Sequence, residues 1–324
     1  MEQSSFKSFI KNNMMWLILI GIMIIFAILS PNFRSFKNIM NILTQNAYFI
    51  ITTIGIAVIM ISGGTDLSVG HILATAGICT ALILQSGIPT VAAIILGIVA
   101  GLVVATILGA FNGLMANTLK IHSMIVTLAT MTMFQGIAFI ISQSKSYYNF
   151  PAGYLTIGQG YVGPISIPVI ITIVVILVIH FILSKTCFGR FIYAVGGNPE
   201  TARLAGINVS KIKLMAFGLG GILFGIASIV LTSRGGSASA NLAPSIAFDG
   251  ITACVLGGVS FIGGAGKVAD AVAGCLVLGV LSNGMQMVGM GVNTQYVIKG
   301  AILLLAIGYD TFQRSRQAKA KKTA

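Results

Sequence analysis

Ten apolar runs, separated by short polar stretches, dominate the chain: residues 14–30, 44–62, 67–86, 90–117, 122–143, 165–183, 212–232, 246–262, 268–289 and 294–311. A helix needs about 20 mostly apolar residues to cross a bilayer, so each run predicts a transmembrane helix. The alternation expected of a β-barrel strand is absent from them. The first run follows Lys7 and Lys11 as a signal peptide would. Ser30-Pro31-Asn32-Phe33 comes after it instead of a small-x-small cleavage site, which predicts an uncleaved first span. Glycines at 257, 258, 263, 264 and 266 interrupt the region of 246–289. Broken helices are expected where backbone lines a cavity.

Two polar stretches are long enough to hold structure of their own, 144–164 and 184–213. Within the second, residues 196–207 read as a short capped helix. Asn198 suits the N-cap, where its side chain accepts a first-turn N–H. Pro199 suits the first helical position. Glu200 sits at the positive end of the helix dipole, and Gly206 suits the left-handed residue that ends a helix. Glu200 and Arg203 are spaced to pair with each other. The apolar side (Ala202, Leu204, Ala205) is too small for membrane insertion and suits a groove on a soluble partner.

Composition fixes the class. The 324 residues are 56% hydrophobic and 8% charged, with a mean hydropathy of +0.99, against about 25% charged in soluble domains. The expectation is an all-α polytopic membrane protein, one transmembrane domain over 1–324. The net charge of +13 does not point to nucleic acid, because the basic residues border the spans. With both termini inside, fourteen Lys and Arg fall on the inner side, and only Arg34, Lys37, Lys145 and Arg234 on the outer. This is the positive-inside pattern and predicts a cytoplasmic N-terminus, loop 184–213 and basic tail 311–324. Lys299 is left inside the last span. Cys79, Cys187, Cys254 and Cys275 lie far apart and imply no disulfide or metal framework.

The polar groups inside the spans are mostly neutral. Asp66 lies in Ser62-Gly-Gly-Thr-Asp-Leu-Ser-Val-Gly70 between two apolar runs. Asp66 or Thr65 reads as the N-cap of the third span, and the stretch reads equally as part of a discontinuous helix lining a polar pathway. Asp66, Ser68, Asn112, Gln135, Asn283, Gln286 and Gln295 are the candidates for such a pathway. Singly, each amide serves equally as interhelical glue; together they suit an uncharged polyol. His71, His122 and His180 do not cluster, and no catalytic or metal spacing appears. Gly263-Gly-Ala-Gly-Lys267-Val268 resembles a phosphate loop but lacks its first glycine and its hydroxyl residue. The chain is therefore not expected to hydrolyse ATP. Gly109-Ala-Phe-Asn112-Gly113 and Gly279-Val-Leu-Ser-Asn283-Gly284 form a faint repeat five spans apart, as in inverted-repeat transporters.

At Glu200-Thr-Ala202-Arg-Leu-Ala-Gly206 the chain resembles the E-x-A-x-x-x-G coupling loop of permease subunits from binding-protein-dependent ABC importers, with Thr201 in place of an Ala. Phe188 to Glu200, Gly63 to Gly70, Leu256 to Gly264 and Gln295 to Gly300 extend the resemblance to the ribose/galactose-type monosaccharide permeases. The resemblance implies a plasma-membrane (bacterial inner-membrane) permease working as a dimer, most simply a homodimer. It implies an ABC ATPase subunit that binds ATP and Mg, an extracytoplasmic sugar-binding protein, a monosaccharide substrate, and no cofactor in this chain. It also implies that Arg190, Asn198, Pro199, Glu200, Ala202, Arg203 and Gly206 couple to the ATPase. A stand-alone ion-coupled sugar carrier is the alternative; it would favour buried acids or histidines along the spans, which are scarce here. A membrane-embedded enzyme would need a polar catalytic cluster, and the sequence offers none.

Overall fold

The apolar runs fold as helices. The computed structural model describes residues 2–302 together with 304, 305 and 308. In chain order the main helices are α1 (Glu2–Leu29), α2 (Phe36–Ile61), α3 (Val69–Leu84), α4 (Thr90–Leu119) and α5 (Ser123–Ser142). Then come α6 (Ala152–Gln159), α7 (Ile167–Lys185), α8 (Cys187–Gly197), α9 (Pro199–Leu204), α10 (Val209–Gly235), α11 (Ile246–Gly257) and α12 (Val268–Met287). A further helix, α13, runs over 292–302. Six of them (α2, α4, α5, α7, α10 and α12) are long and apolar enough to cross a membrane; Met15–Leu29, α3 and α11 are shorter apolar helices. The chain is an all-α polytopic membrane protein. The predicted tail 311–324 lies outside the described residues.

Several boundaries differ from the sequence pattern for identifiable reasons. The expected span 246–262 stops at Gly257, because Gly258 takes φ +108° and turns the chain away. The expected loop 184–213 holds two helices, and its short helix is only 199–204. Asp66 does not cap α3. Ser68 occupies that position, and Asp66 accepts the Ser68 N–H at 2.8 Å from two residues upstream.

At the centre, α2 and α10 pack on each other. Every residue of α2 from Phe49 to Ile61 is buried, as expected of a helix that is apolar all round. Close approach is set by glycine: a Cβ on Gly55 would stand 2.6 Å from the Phe224 ring, and one on Gly220 2.6 Å from Ile59. On α4 the buried stripe is Ala93, Gly97, Gly101, Ala105, Gly109 and Gly113. These small residues recur every fourth position, the pattern that lets membrane helices meet backbone to backbone. Gly109 lies against Gly221 of α10, with 2.8 Å between a notional Cβ and the Gly221 Cα.

The packing repeats. α10 covers α3 and α4, α2 covers α11 and α12, and the pairs α3–α4 and α11–α12 each pack together. Exchanging α2 with α10, α3 with α11 and α4 with α12 maps one half onto the other, and places the Asn112-Gly113 and Asn283-Gly284 sequences on equivalent helices. Residues 144–164 are fastened to α10. Tyr147–Tyr148 pairs antiparallel with Ser237–Ala238, the Tyr154 hydroxyl lies 2.6 Å from Thr232 Oγ1, and Gln159 Nε2 donates to the Arg234 carbonyl at 3.0 Å. This strap fixes the end of α10 and the connection to α11.

Candidate functional site

The short helix α9 is built as its sequence dictates. Asn198 Oδ1 accepts the Thr201 N–H at 3.0 Å, and Pro199 fills the first position. Gly206 takes φ +81°, while its N–H reaches the Arg203 carbonyl and the Ile207 N–H the Ala202 carbonyl, both at 3.0 Å. Six residues cannot sustain a helix by propensity; the caps and one anchor must hold it. That anchor is Ala202, the only buried residue of α9. The rest of the helix faces outward. Leu204 is 84% exposed, and the Glu200–Arg203 pair (2.9 Å) has both side chains more than 70% exposed, so it contributes little to stability. Arg190, on α8, is exposed and donates to Cys187 Sγ. Replacing Asn198 by alanine is expected to weaken α9 by about 1 kcal/mol. Amide hydrogen exchange at residues 201–204 should then quicken several-fold, while exchange in α10 stays unchanged.

At the end of α8, just before α9 begins, three chain segments distant in sequence meet on glycine. α8 buries Ile192, Val195 and Gly196 and ends against the turn after α2 and the turn before α12. A Cβ on Gly196 would collide with the Ile61 carbonyl oxygen and stand 2.6 Å from the Gly264 nitrogen. Gly264 N donates to Ile61 O at 2.9 Å, and Tyr193 of α8 donates to the Gly266 carbonyl at 2.7 Å. Gly63, Gly263, Gly264 and Gly266 all have positive φ, which glycine adopts at no steric cost. The stretch resembling a phosphate loop is thus a turn filled by neighbouring backbone. Its Lys267 N–H is bonded to Asp270 Oδ2 at 2.9 Å.

The turn after α2 leads directly into a closed polar knot. Asp66 and Ser68 are wholly buried, as is Asn112 of α4. Asp66 Oδ1 accepts the Ser68 N–H at 2.8 Å and the Ser68 hydroxyl at 2.6 Å. Asn112 Nδ2 donates to Asp66 Oδ2 at 3.1 Å, and Thr130 donates to Asn112 Oδ1 at 2.7 Å. On α5, Ser123 and Thr127 accept the Thr65 and Leu67 amides at 2.8 and 3.1 Å. Burial pushes the Asp66 carboxyl above its usual range, opposed by the bonds from Ser68 and Asn112. These residues tie the connection between α2 and α3 to α4 and α5.

A polar cavity lies elsewhere, about 380 Å³ between α2, the α10–α11 connection, α11, α12 and α13. Of the seven pathway candidates it gathers Asn283, Gln286 and Gln295. Asp66, Ser68 and Asn112 lie in the knot, and Gln135 is half-buried on α5, away from the cavity. Asn283 also exchanges hydrogen bonds of 3.0 and 3.2 Å with Asn38 of α2. Sequence reasoning did not join Gln45, Tyr48, Arg234 and Asp249 to the site, though all line it together with Asn46, one of the amides within the spans. Lys299, set apart only as a charge inside a span, lines it as well. Its Nζ stands 3.7 Å from Asp249 Oδ2. Isolated charges inside apolar runs were the available signal.

Comparison with known proteins agrees with this architecture. Residues 38–307 match the family described as "Branched-chain amino acid transport system / permease component". The chain is 37% identical over 291 residues to the ribose import permease protein RbsC of Bacillus subtilis, covering 89% of each chain. It is 32% identical to the galactose/methyl galactoside import permease protein MglC of Escherichia coli, covering 98% of this chain and 99% of that one. It is also 35% identical to the L-arabinose transport system permease protein AraH of Escherichia coli, over 94% and 92% respectively. No solved structure matches the chain.

Proposed function

The chain belongs to the branched-chain amino acid transport system / permease component family, and on that premise we propose that it is the membrane subunit of an ABC importer for a monosaccharide. ATP and Mg bind to a separate ATPase subunit, which docks on α9 from the cytoplasm. An extracytoplasmic binding protein delivers the sugar, and a second copy of this chain completes the passage. The sugar assignment rests on the relatives' names, which specify ribose, galactose and arabinose, and on the cavity lining. Amides, a tyrosine and a few charges suit hydroxyl groups better than the aliphatic side chain of a branched amino acid.

One observation carries the coupling role. α9 is capped at both ends, held by the single buried side chain of Ala202, and follows directly on the end of α8 that forms the glycine junction. A force applied to its exposed side reaches two turns at once. One continues into the Asp66 knot and α3; the other continues into α12, which bears Asn283 and Gln286 of the cavity.

The test is Glu200→Lys and Gly206→Val in the complete complex. Gly206→Val puts a β-branched residue at φ +81°, a strained conformation. Both variants are expected to lose most sugar-stimulated ATPase activity and to co-purify less ATPase subunit. Because the Glu200–Arg203 pair is solvent-exposed, the Glu200 effect would report partner contact rather than unfolding. Undiminished assembly and stimulated ATPase activity in both variants would remove the coupling role.

A further inference from the structure

The cavity holds more charge than its neutral amides suggest. Asp249 of α11, Lys299 of α13 and Arg234 at the end of α10 converge on it from three different elements. Asp249 and Lys299 keep about a quarter of their side-chain surface open. Arg234 turns one of its five N–H donors to the protein, from Nη1 to the Gln45 carbonyl at 3.4 Å. The Asp249–Lys299 separation of 3.7 Å is within Coulomb reach but longer than a hydrogen bond of good geometry. A carboxylate has about four acceptor positions; Lys299 and the neighbouring Ser245 engage at most two of them. The remainder face a cavity edged by Gln286 and Gln295.

From this geometry we propose that Asp249 is a specificity-determining residue of the passage, its carboxylate accepting hydrogen bonds from two adjacent hydroxyls of the sugar, with Lys299 holding the carboxylate charged and oriented. This rests on the reading of the cavity as the sugar passage. O–H···O⁻ bonds are short and about twice as strong as neutral ones. Two side by side discriminate between sugars by the position of a vicinal diol. The surrounding amides bind hydroxyls of either role, donor or acceptor, and add affinity without reading one arrangement.

The experiment is initial uptake by the complete importer in proteoliposomes, comparing wild type, Asp249→Asn and the exchange Asp249→Lys with Lys299→Asp. Each is given the transported sugar and its single-deoxy analogues. The ratio of variant to wild type cancels recognition by the binding protein. Uptake of the parent sugar is expected to fall at least tenfold in Asp249→Asn and to stay low in the exchange. For the analogues lacking either hydroxyl of one adjacent pair, one of the two bonds remains, so the loss in the variant should shrink to about threefold. Parent uptake within twofold of wild type, full restoration by the exchange, or an equal loss on every analogue overturns the proposal. The latter two outcomes would mean a pair that merely ties α11 to α13. If Asp249→Asn does not assemble, Asp249→Glu keeps the charge and displaces the carboxylate; an unaltered preference among analogues in that variant overturns the proposal equally. Failure of the wild-type complex to take up any sugar would instead overturn the permease reading itself.

Discussion

Gly196→Ala is expected to abolish a stably folded, coupled transporter, whereas Gly197→Ala, one residue on, should leave it close to wild type. The added methyl at 196 would meet the Ile61 carbonyl oxygen and the Gly264 nitrogen, whereas one at 197 meets nothing within 4 Å. Both obstacles at 196 are backbone, and they are bonded to each other at 2.9 Å, so neither rotates away as a side chain could. Overpacking a well-packed core typically costs 1–3 kcal/mol, and with no flexible neighbour this site should lie at about 3 kcal/mol or above. The readout is thermal unfolding of the detergent-solubilised protein together with ATPase subunit recovered on purification. A Gly196→Ala protein that melts and assembles like Gly197→Ala would contradict the close three-way contact at the end of α8.

Asp66→Ala is expected to be the most damaging polar substitution outside the cavity. It strands two donors in a site closed to water, the Ser68 N–H and the Ser68 hydroxyl, and takes one of two partners from the Asn112 amide, which keeps Ser68 Oγ at 2.8 Å. A buried polar group left unsatisfied costs about 1–3 kcal/mol, so a combined loss of roughly 4 kcal/mol is expected after partial relaxation. Thr130→Val removes the bond to Asn112 Oδ1 and a longer contact to the Thr127 carbonyl at 3.4 Å, and should cost about 1 kcal/mol by the same reasoning. Melting temperatures of the two variants should therefore separate clearly, with Asp66→Ala much the lower. Equal melting temperatures would mean that the knot is open to water, and would return Asp66 to the candidates for the pathway.

Helices whose signal is local were legible from the sequence. Most apolar runs fold as helices to within about three residues, because continuous hydrophobicity leaves the backbone no other way to satisfy itself in lipid; α1 and α2 begin 12 and 8 residues before their runs, and the end of the run 294–311 lies outside the described residues. The caps of α9 were equally plain, since Asn198, Pro199 and Gly206 each act within three or four residues of themselves. What stayed hidden depends on contacts between distant segments. Gly63, Gly196 and Gly264 each read as an ordinary turn or helix-end glycine; only the fold shows that they are one junction. Asp66 fitted a cap and a pathway equally well, because its spacing to Ser68 is local while its bond to Asn112 spans 46 positions. Asp249 and Lys299 stood 50 residues apart in sequence, and nothing local announced their pairing. In the sequence α8 looks like loop, because its apolar face (Ile192, Val195) is short and its last two residues are glycine.

Accumulation of labelled sugar in vesicles, with and without the ATPase subunit, tests the central claim that α9 transmits work done by another chain. Vesicles holding this chain, the ATPase subunit, internal ATP and external sugar-loaded binding protein should concentrate the sugar, and vesicles holding this chain alone should not, even with a proton or sodium gradient imposed. Gradient-driven accumulation by the chain alone would contradict the account.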